Sequence, residues 1–279
     1  MKALEVLMTG SNLLKESKIS SYMLDSELLL SKTLNKSREE ILTSLDQIIS
    51  EERISVFEKY LKRRKNKEPI AYIIEKKEFW SKSFKVSKDT LIPRPETELL
   101  VDELIKIFSG KQISILDIGT GSGCIIISLL SNLEKSFGTG IDISKDAILI
   151  AKKNAKNHQL KNRVKFFKKS TDSLFGKKFD LIVSNPPYIE KKDIKNLSDD
   201  IKKYEPIMAL DGGNDGLDLI KKFIYKSTQI LKIKGTLALE IGKEQFKKVS
   251  KILIDNNFRI KHVIKDYKDN IRCIIANYK

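Results

Sequence analysis

Several ingredients are scarce in this chain, and each scarcity removes a class of protein. Two cysteines and two histidines stand among 279 residues, with one tryptophan and six prolines. Cys124 and Cys273 lie in apolar surroundings without metal-type spacing, so they read as buried free thiols of a reducing cytoplasm, not a disulfide framework. His158 and His262 are each solitary, which leaves no cluster for a metal ion and no evident nucleophile–base pair; no metal is expected. Cys124 to Leu130 is among the longest apolar runs, far short of the roughly 18 residues that cross a bilayer. The opening Met1-Lys2-Ala3-Leu4-Glu5-Val6 carries an early acid and no cleavage pattern, so a cytoplasmic protein without a secretory signal is expected. There is no internal repeat and no low-complexity linker.

Basic charge is plentiful: lysine and arginine exceed aspartate and glutamate by 16. Such an excess draws a protein toward polyanions, RNA and ribosomes among them, in a salt-dependent way. The lysines are spread along the whole chain, as in a compositionally biased proteome. The charge therefore fits proximity to the ribosome without requiring nucleic acid, and no membrane partner is implied. The length suffices for one large domain or two with a substantial core.

Residues 1–78 read as helical. Leu13, Leu14, Ile19, Tyr22, Leu28, Leu29 and Leu30 recur at broadly helical spacing. Ser50 followed by Glu51 and Glu52 predicts a capped start, and the helix it opens ends in the basic run Lys62 to Lys67, a solvated end that suits the macrodipole or a contact with RNA. Pro69 then breaks the pattern. Phe79-Trp80 and Phe84-Lys85-Val86 predict two short strands around a turn, a hairpin linker over 79–92, with Trp80 in the linker core. Pro93-Arg94-Pro95-Glu96-Thr97-Glu98 is a stiff boundary with acids suited to a first helical turn running to Phe108. From Ile113 onward strands and helices alternate, which predicts a mostly parallel, doubly wound α/β sheet over 93–279 with a closing antiparallel pair.

Two stretches carry the chemistry. In Phe179 to Tyr188, the buried run Leu181-Ile182-Val183 stops on Ser184-Asn185-Pro186-Pro187-Tyr188, where two prolines forbid both helix and ladder. A carboxamide and neighbouring carbonyls are thereby held at a strand's carboxyl end, where open α/β sheets place ligands. Such a loop could grip a planar amide or amine. The second stretch, Asp117-Ile118-Gly119-Thr120-Gly121-Ser122-Gly123, lets a ligand approach the backbone, and Asp142, ending the next strand, could accept both hydroxyls of a ribose. A dinucleotide site would look similar. However, Cys124 stands where that fingerprint wants its third glycine, and the preceding acid Asp117 suits a ligand with cationic groups such as S-adenosylmethionine.

Together these stretches resemble the N5-glutamine methyltransferases of peptide chain release factors, the HemK or PrmC family. The likeness extends over Pro93 to Glu98, Asp117 to Gly123, Asp142, Asn154-Ala155, Asn185 to Tyr188, Tyr204-Glu205-Pro206, Ala209 to Leu217, and Asp266-Tyr267 with Asn270 and Arg272. It implies a Rossmann-like class I methyltransferase domain at 93–279 and an N-terminal substrate-recognition domain at 1–78. S-adenosylmethionine would be held by Asp117, Gly119, Thr120, Gly121, Ser122, Gly123, Asp142, Thr171 and Asn185. The resemblance implies Asn185, Pro186 and Tyr188 as catalytic residues, with Asn185, Pro186, Pro187 and Tyr188 binding a release-factor glutamine. One departure stands out: Ser170-Thr171 occupies the place where relatives have an acid and an apolar residue near the adenine, and Asp172 is displaced by two. The Asn-Pro-Pro-Tyr tetrapeptide alone would equally fit adenine N6-methyltransferases of DNA or RNA. The Pro93 to Glu98 run and the Asp211 to Gly216 glycines favour glutamine.

Overall fold

Leucines and isoleucines at helical spacing build the first of two compact units, Met1–Lys76 with Ser198–Tyr204. The computed structural model describes residues 1–176 and 179–279. Helices α1 (Ala3–Glu16), α2 (Tyr22–Leu34), α3 (Arg38–Leu42), α4 (Glu51–Lys65) and α5 (Ile70–Ile74) bury Leu7, Leu14, Leu29, Leu30, Phe57 and Leu61 in one cluster. Each such side chain contributes about 2 kcal/mol of burial. Gly10 permits the approach of α1 to α4, since a Cβ there would lie 2.6 Å from the Phe57 ring. Ser50 caps α4 as expected, accepting from the Arg53 amide at 3.4 Å. Tyr204 donates its hydroxyl to the Asn66 carbonyl at 2.9 Å, tying the later segment into this unit.

Two expectations for this region are corrected. Pro69 does not keep the following residues out of helix: it stands at the cap of α5, the position where a missing N–H and a fixed φ are tolerated. Nor is the Lys62 to Lys67 run only a solvated end. Arg63 pairs with Glu68 at 2.5 Å, Arg64 with the buried Asp25 at 2.7 Å, and Lys67 donates to the Ser17 carbonyl at 2.7 Å.

The second unit is Lys77–Leu197 with Glu205–Lys279. Its hairpin pairs β1 (Lys76–Phe79) with β2 (Lys82–Lys85), so Trp80 belongs to the turn, not to a strand. Trp80 and Ser81 both hold φ at 51°, the left-handed region that a two-residue hairpin turn demands. Next come α6 (Pro95–Phe108), β3 (Ser114–Ile118), α7 (Cys124–Asn132), β4 (Phe137–Asp142), α8 (Lys145–Asn157), β5 (Val164–Lys168) and β6 (Phe179–Ser184). The chain continues through α9 (Asp199–Tyr204, in the first unit), α10 (Asp218–Ile230), β7 (Leu231–Glu240), α11 (Phe246–Asp255), β8 (Phe258–Lys265) and β9 (Ile271–Tyr278).

Among the described residues, β3 to β9 form one sheet in the order β5-β4-β3-β6-β7-β9-β8. All neighbours are parallel except β9, which runs antiparallel to β7 and to β8. Side chains alternate across it. Ile115, Leu181, Val183 and Ala238 pack with Leu104 and Leu130 on one face, while Leu116, Ile182, Leu237 and Leu239 pack with Ile224 and Val249 on the other. Burial on both faces is why these strands read as unbroken apolar runs. β7 begins at Leu231, directly after α10, with a register irregularity between Phe179 and Leu181 of β6.

Candidate active site

Strand order reverses between β3 and β6, where a doubly wound sheet opens a crevice. Ile118 of β3 sits beside Ser184 of β6 in register, so the chain leaves the two strands side by side at Gly119 and Asn185. A cavity of about 490 Å³ opens there, lined by Gly119, Gly121, Asp142, Thr171, Asn185 and Pro187 among others, with Leu91, Met208 and Phe223 in its apolar wall.

The glycine loop is shaped by its backbone. Gly119 and Gly121 hold φ at +70° and +53°, and a Cβ on Gly119 would meet nothing within 4 Å. At Gly123, φ is +80° and a Cβ would press on Ile127 at 3.0 Å, so this glycine serves packing against α7. Asp142 accepts from the Gly121 amide at 3.0 Å and the Ser144 amide at 2.9 Å; burial pushes its carboxyl above the ordinary range. Asp117 is fully buried. Its Oδ2 accepts from the Thr120 hydroxyl at 2.7 Å, and its Oδ1 has no partner among the described residues. Burial pushes this carboxyl up to about 7, against the Thr120 bond that favours the charged form. An orphaned buried oxygen beside an open glycine cradle fits a cationic ligand better than a pyrophosphate.

The Asn185 to Tyr188 loop is braced from below. Ile189 bridges to Asp211, with the Gly212 amide donating to the Ile189 carbonyl at 2.8 Å. The Gln245 side-chain amide donates to the carbonyls of Tyr188, at 3.0 Å, and Gly216, at 3.1 Å. A Cβ on Gly212 would stand 2.8 Å from the Tyr188 Cα, which is why glycine is needed in the Asp211 to Gly216 segment.

Glu240, ending β7, escaped the sequence reading. It is fully buried and accepts from the Thr97 hydroxyl at 2.5 Å and the Tyr188 hydroxyl at 3.3 Å. Arg272 of β9 donates to the Tyr188 oxygen at 2.9 Å and lies 3.7 Å from Glu240. Burial raises the Glu240 carboxyl, opposed by Thr97 and Arg272. Burial, and then the Glu240 charge, lift the Tyr188 phenol to about 12. The available signal was an acid closing the apolar strand Thr236 to Glu240 at the sheet's carboxyl edge. Glu205 was likewise unassigned: it accepts from Arg94 at 2.6 Å and from the Ile92 amide at 3.2 Å, holding the proline-rich boundary.

Of the sequence-predicted residues, Gly119, Gly121, Asp142, Thr171, Asn185 and Pro187 meet at the cavity. Asp117, Thr120, Ser122, Gly123, Pro186 and Tyr188 flank those residues in the chain and are not part of the lining. Asn154 is buried and joins Lys85 of the hairpin to the glycine loop through the Ser122 carbonyl at 2.8 Å. Asp172 is not part of the lining but pairs at 2.6 Å with Lys222, which is. His158 contacts the Ser83 carbonyl at 2.9 Å, and His262 pairs with Glu103 at 2.9 Å.

A parallel sheet with an inserted antiparallel strand, and a glycine cradle flanked by acids at its switch point, define a Rossmann-like methyltransferase domain. The ribosomal protein L11 methylase of Lactobacillus delbrueckii subsp. bulgaricus shares this fold, with a TM-score of 0.51 at 21% identity over 67% of this chain and 81% of that one. Family profiles match at residues 5–74, described as the PrmC N-terminal domain, and at 94–203, described as the methyltransferase small domain. The release factor glutamine methyltransferase of Clostridium acetobutylicum is 39% identical, over 99% of this chain and 98% of its own. That of Clostridium botulinum is 41% identical over 98% of each. The chain belongs to the release factor glutamine methyltransferase family, and its cofactor is S-adenosylmethionine. No helix among the described residues is long and apolar enough to cross a membrane.

Proposed function

We propose that this protein methylates the side-chain amide nitrogen of the glutamine in the Gly-Gly-Gln loop of peptide chain release factors, in the cytoplasm, in support of translation termination. The observation that carries this reading is Asn185 lining the same cavity as Gly119, Gly121 and Asp142, in a chain 39% identical over its length to a release factor glutamine methyltransferase. The helical unit at its N-terminus is the part that recognises the release factor, and neither nucleic acid nor a metal takes part. Proximity to the ribosome follows from the substrate and suits the basic charge.

A glutamine amide nitrogen is a poor nucleophile because its lone pair is delocalised into the carbonyl. The Asn185 side-chain oxygen and the Pro186 carbonyl accept its two N–H groups and hold the nitrogen in line with the methyl carbon. Pro187 and the Tyr188 ring, fixed through Glu240 and Arg272, wall the amide plane. Asp142 would take the ribose hydroxyls of the cofactor, the Gly119 to Gly123 backbone with Thr120 and Ser122 would shape its cradle, and Thr171 would serve the adenine. Asp117 would serve the ammonium group. When bound, S-adenosylmethionine supplies a methyl carbon made electrophilic by its sulfonium. Held in line by Asn185 and Pro186, the nitrogen would bond to the methyl carbon as the donor's carbon–sulfur bond broke, and the surplus amide proton would leave to water. Catalysis is positioning and dipole placement.

The test is incubation with labelled methyl donor and either a purified release factor or nucleic acid, read by mass spectrometry at the Gly-Gly-Gln glutamine. One added methyl there, and severe loss of it in Asn185→Ala, is expected. Label in nucleic acid and none in the factor would reverse the choice toward an adenine methyltransferase.

A further inference from the structure

We propose that Thr97 and Glu240 fix which end of the Asn185 carboxamide serves the substrate, making both of them positioning residues for methyl transfer. The inference rests on the reading of Asn185 as acceptor of the substrate amide hydrogens. A carboxamide is a donor at one end and an acceptor at the other, and the two ends have nearly the same shape. If Asn185 turned its NH2 toward the substrate, donor would meet donor and the glutamine nitrogen would be driven off line.

The cluster resolves that choice through a chain of hydrogen bonds of fixed polarity. An ionised carboxylate only accepts, and a threonine hydroxyl has a single proton to give. The Thr97 oxygen lies 2.5 Å from Glu240 Oε2, so that proton is committed to Glu240. Toward Asn185 the Thr97 oxygen can then only accept, and it accepts from Asn185 Nδ2 at 3.2 Å. With the nitrogen held, Oδ1 is the end left for a ligand, on a residue that lines the cavity. The opposite side of the cluster enforces the same direction. Arg272 Nη2 donates to the Tyr188 oxygen at 2.9 Å, which leaves the phenol proton for Glu240 Oε1 at 3.3 Å. Burial raises this carboxyl, and the two hydroxyl donors with the guanidinium, 3.7 Å away, oppose that rise and favour the charged form on a group with no solvent exposure. Burying an acid without compensation would neutralise it; here its donors come from α6, the Asn185 to Tyr188 loop and β9.

Steady-state kinetics with a release factor test this, alongside calorimetric cofactor binding. Thr97→Val removes the hydroxyl at nearly constant volume. We expect kcat to fall about 10- to 100-fold, the scale set by misoriented catalytic groups, with KM for the factor and cofactor Kd within about threefold. Thr97→Ser restores the donor and should recover kcat to within about threefold of the parent. In an Asn185→Ala background, Thr97→Val should change kcat less than about twofold, because the group it orients is gone. Should Thr97→Val fail to bind cofactor, Thr97→Cys against Thr97→Ser gives the same comparison, a thiol being a weak donor. Parental kcat in Thr97→Val, equal losses in Thr97→Ser and Thr97→Val, or losses that multiply in the Asn185→Ala background would each overturn the orienting role. Parental kcat in Asn185→Ala itself would instead remove the acceptor reading beneath it.

Discussion

Gly216 runs directly against Tyr188: a Cβ on the glycine would stand 2.5 Å from the tyrosine carbonyl oxygen, while φ at Gly216 is +70°. The Asn185 to Tyr188 loop is thus seated on another backbone, with Gln245 inserted beside the two. Gly216→Ala meets both a left-handed φ and a backbone wall, and either the alanine or the Tyr188 peptide must move. Unfolding by denaturant should show a loss of about 2 kcal/mol or more, and kcat should drop about 100-fold with cofactor Kd little changed. Parental kcat in a stably folded Gly216→Ala would show that the contact does not hold the loop.

Asp117 gives the free protein a pH dependence of known sign. Its carboxyl titrates near 3.8 when exposed and at about 7 in the fold, chiefly through burial. Between those values the folded chain holds a proton the unfolded chain has lost, so stability falls as pH rises from about 4 to about 7. Asp117→Asn cannot lose that proton. Its melting temperature should decline less over this range than the parent's, and it should exceed the parent at pH 8 without cofactor. Cofactor binding should respond oppositely, strengthening through pH 7 in the parent as the carboxylate forms and staying weak in the variant. Parallel melting profiles would contradict the burial argument.

In the helical unit, Arg64 is the partner of an aspartate, Asp25, whose side chain is only 2% exposed. Removing one member of a buried pair leaves the other charge stranded. Arg64→Ala should therefore destabilise this unit by about 3 kcal/mol, seen as faster amide exchange across α1, α2 and α4. Lys62→Ala, in the same run, should change exchange little. Equal effects would mean the run acts only as summed charge.

Most of the sheet was legible because its strands are buried on both faces and read as short apolar runs between glycine, proline and cap residues. Ile113 to Ile118 and Leu181 to Val183 needed nothing else. The glycine loop and Asp142 were legible because close backbone approach restricts residue type locally. Glu240 was not, since its role depends on Thr97, Tyr188 and Arg272, which arrive from distant parts of the chain. The hairpin shifted because Trp80 and Ser81 adopt left-handed φ, a conformation their side chains do not announce. Pro69 misled for a related reason: one proline marks the end of one helix and the start of another equally well. The displaced acid near the cavity also has a physical resolution. Asp172 is engaged by Lys222 at the cavity edge, and Thr171 takes the place on the cavity wall.

The insertion of β9 between β7 and β8 has a consequence for how the protein comes into being. Every residue lining the cavity precedes α11 and is synthesised before β8. Arg272, which orients the Tyr188 phenol, sits on the last strand and reaches Tyr188 only when that strand slides in beside β7. The cavity lining is therefore encoded early, and the strand that braces Tyr188 through Arg272 is made after it.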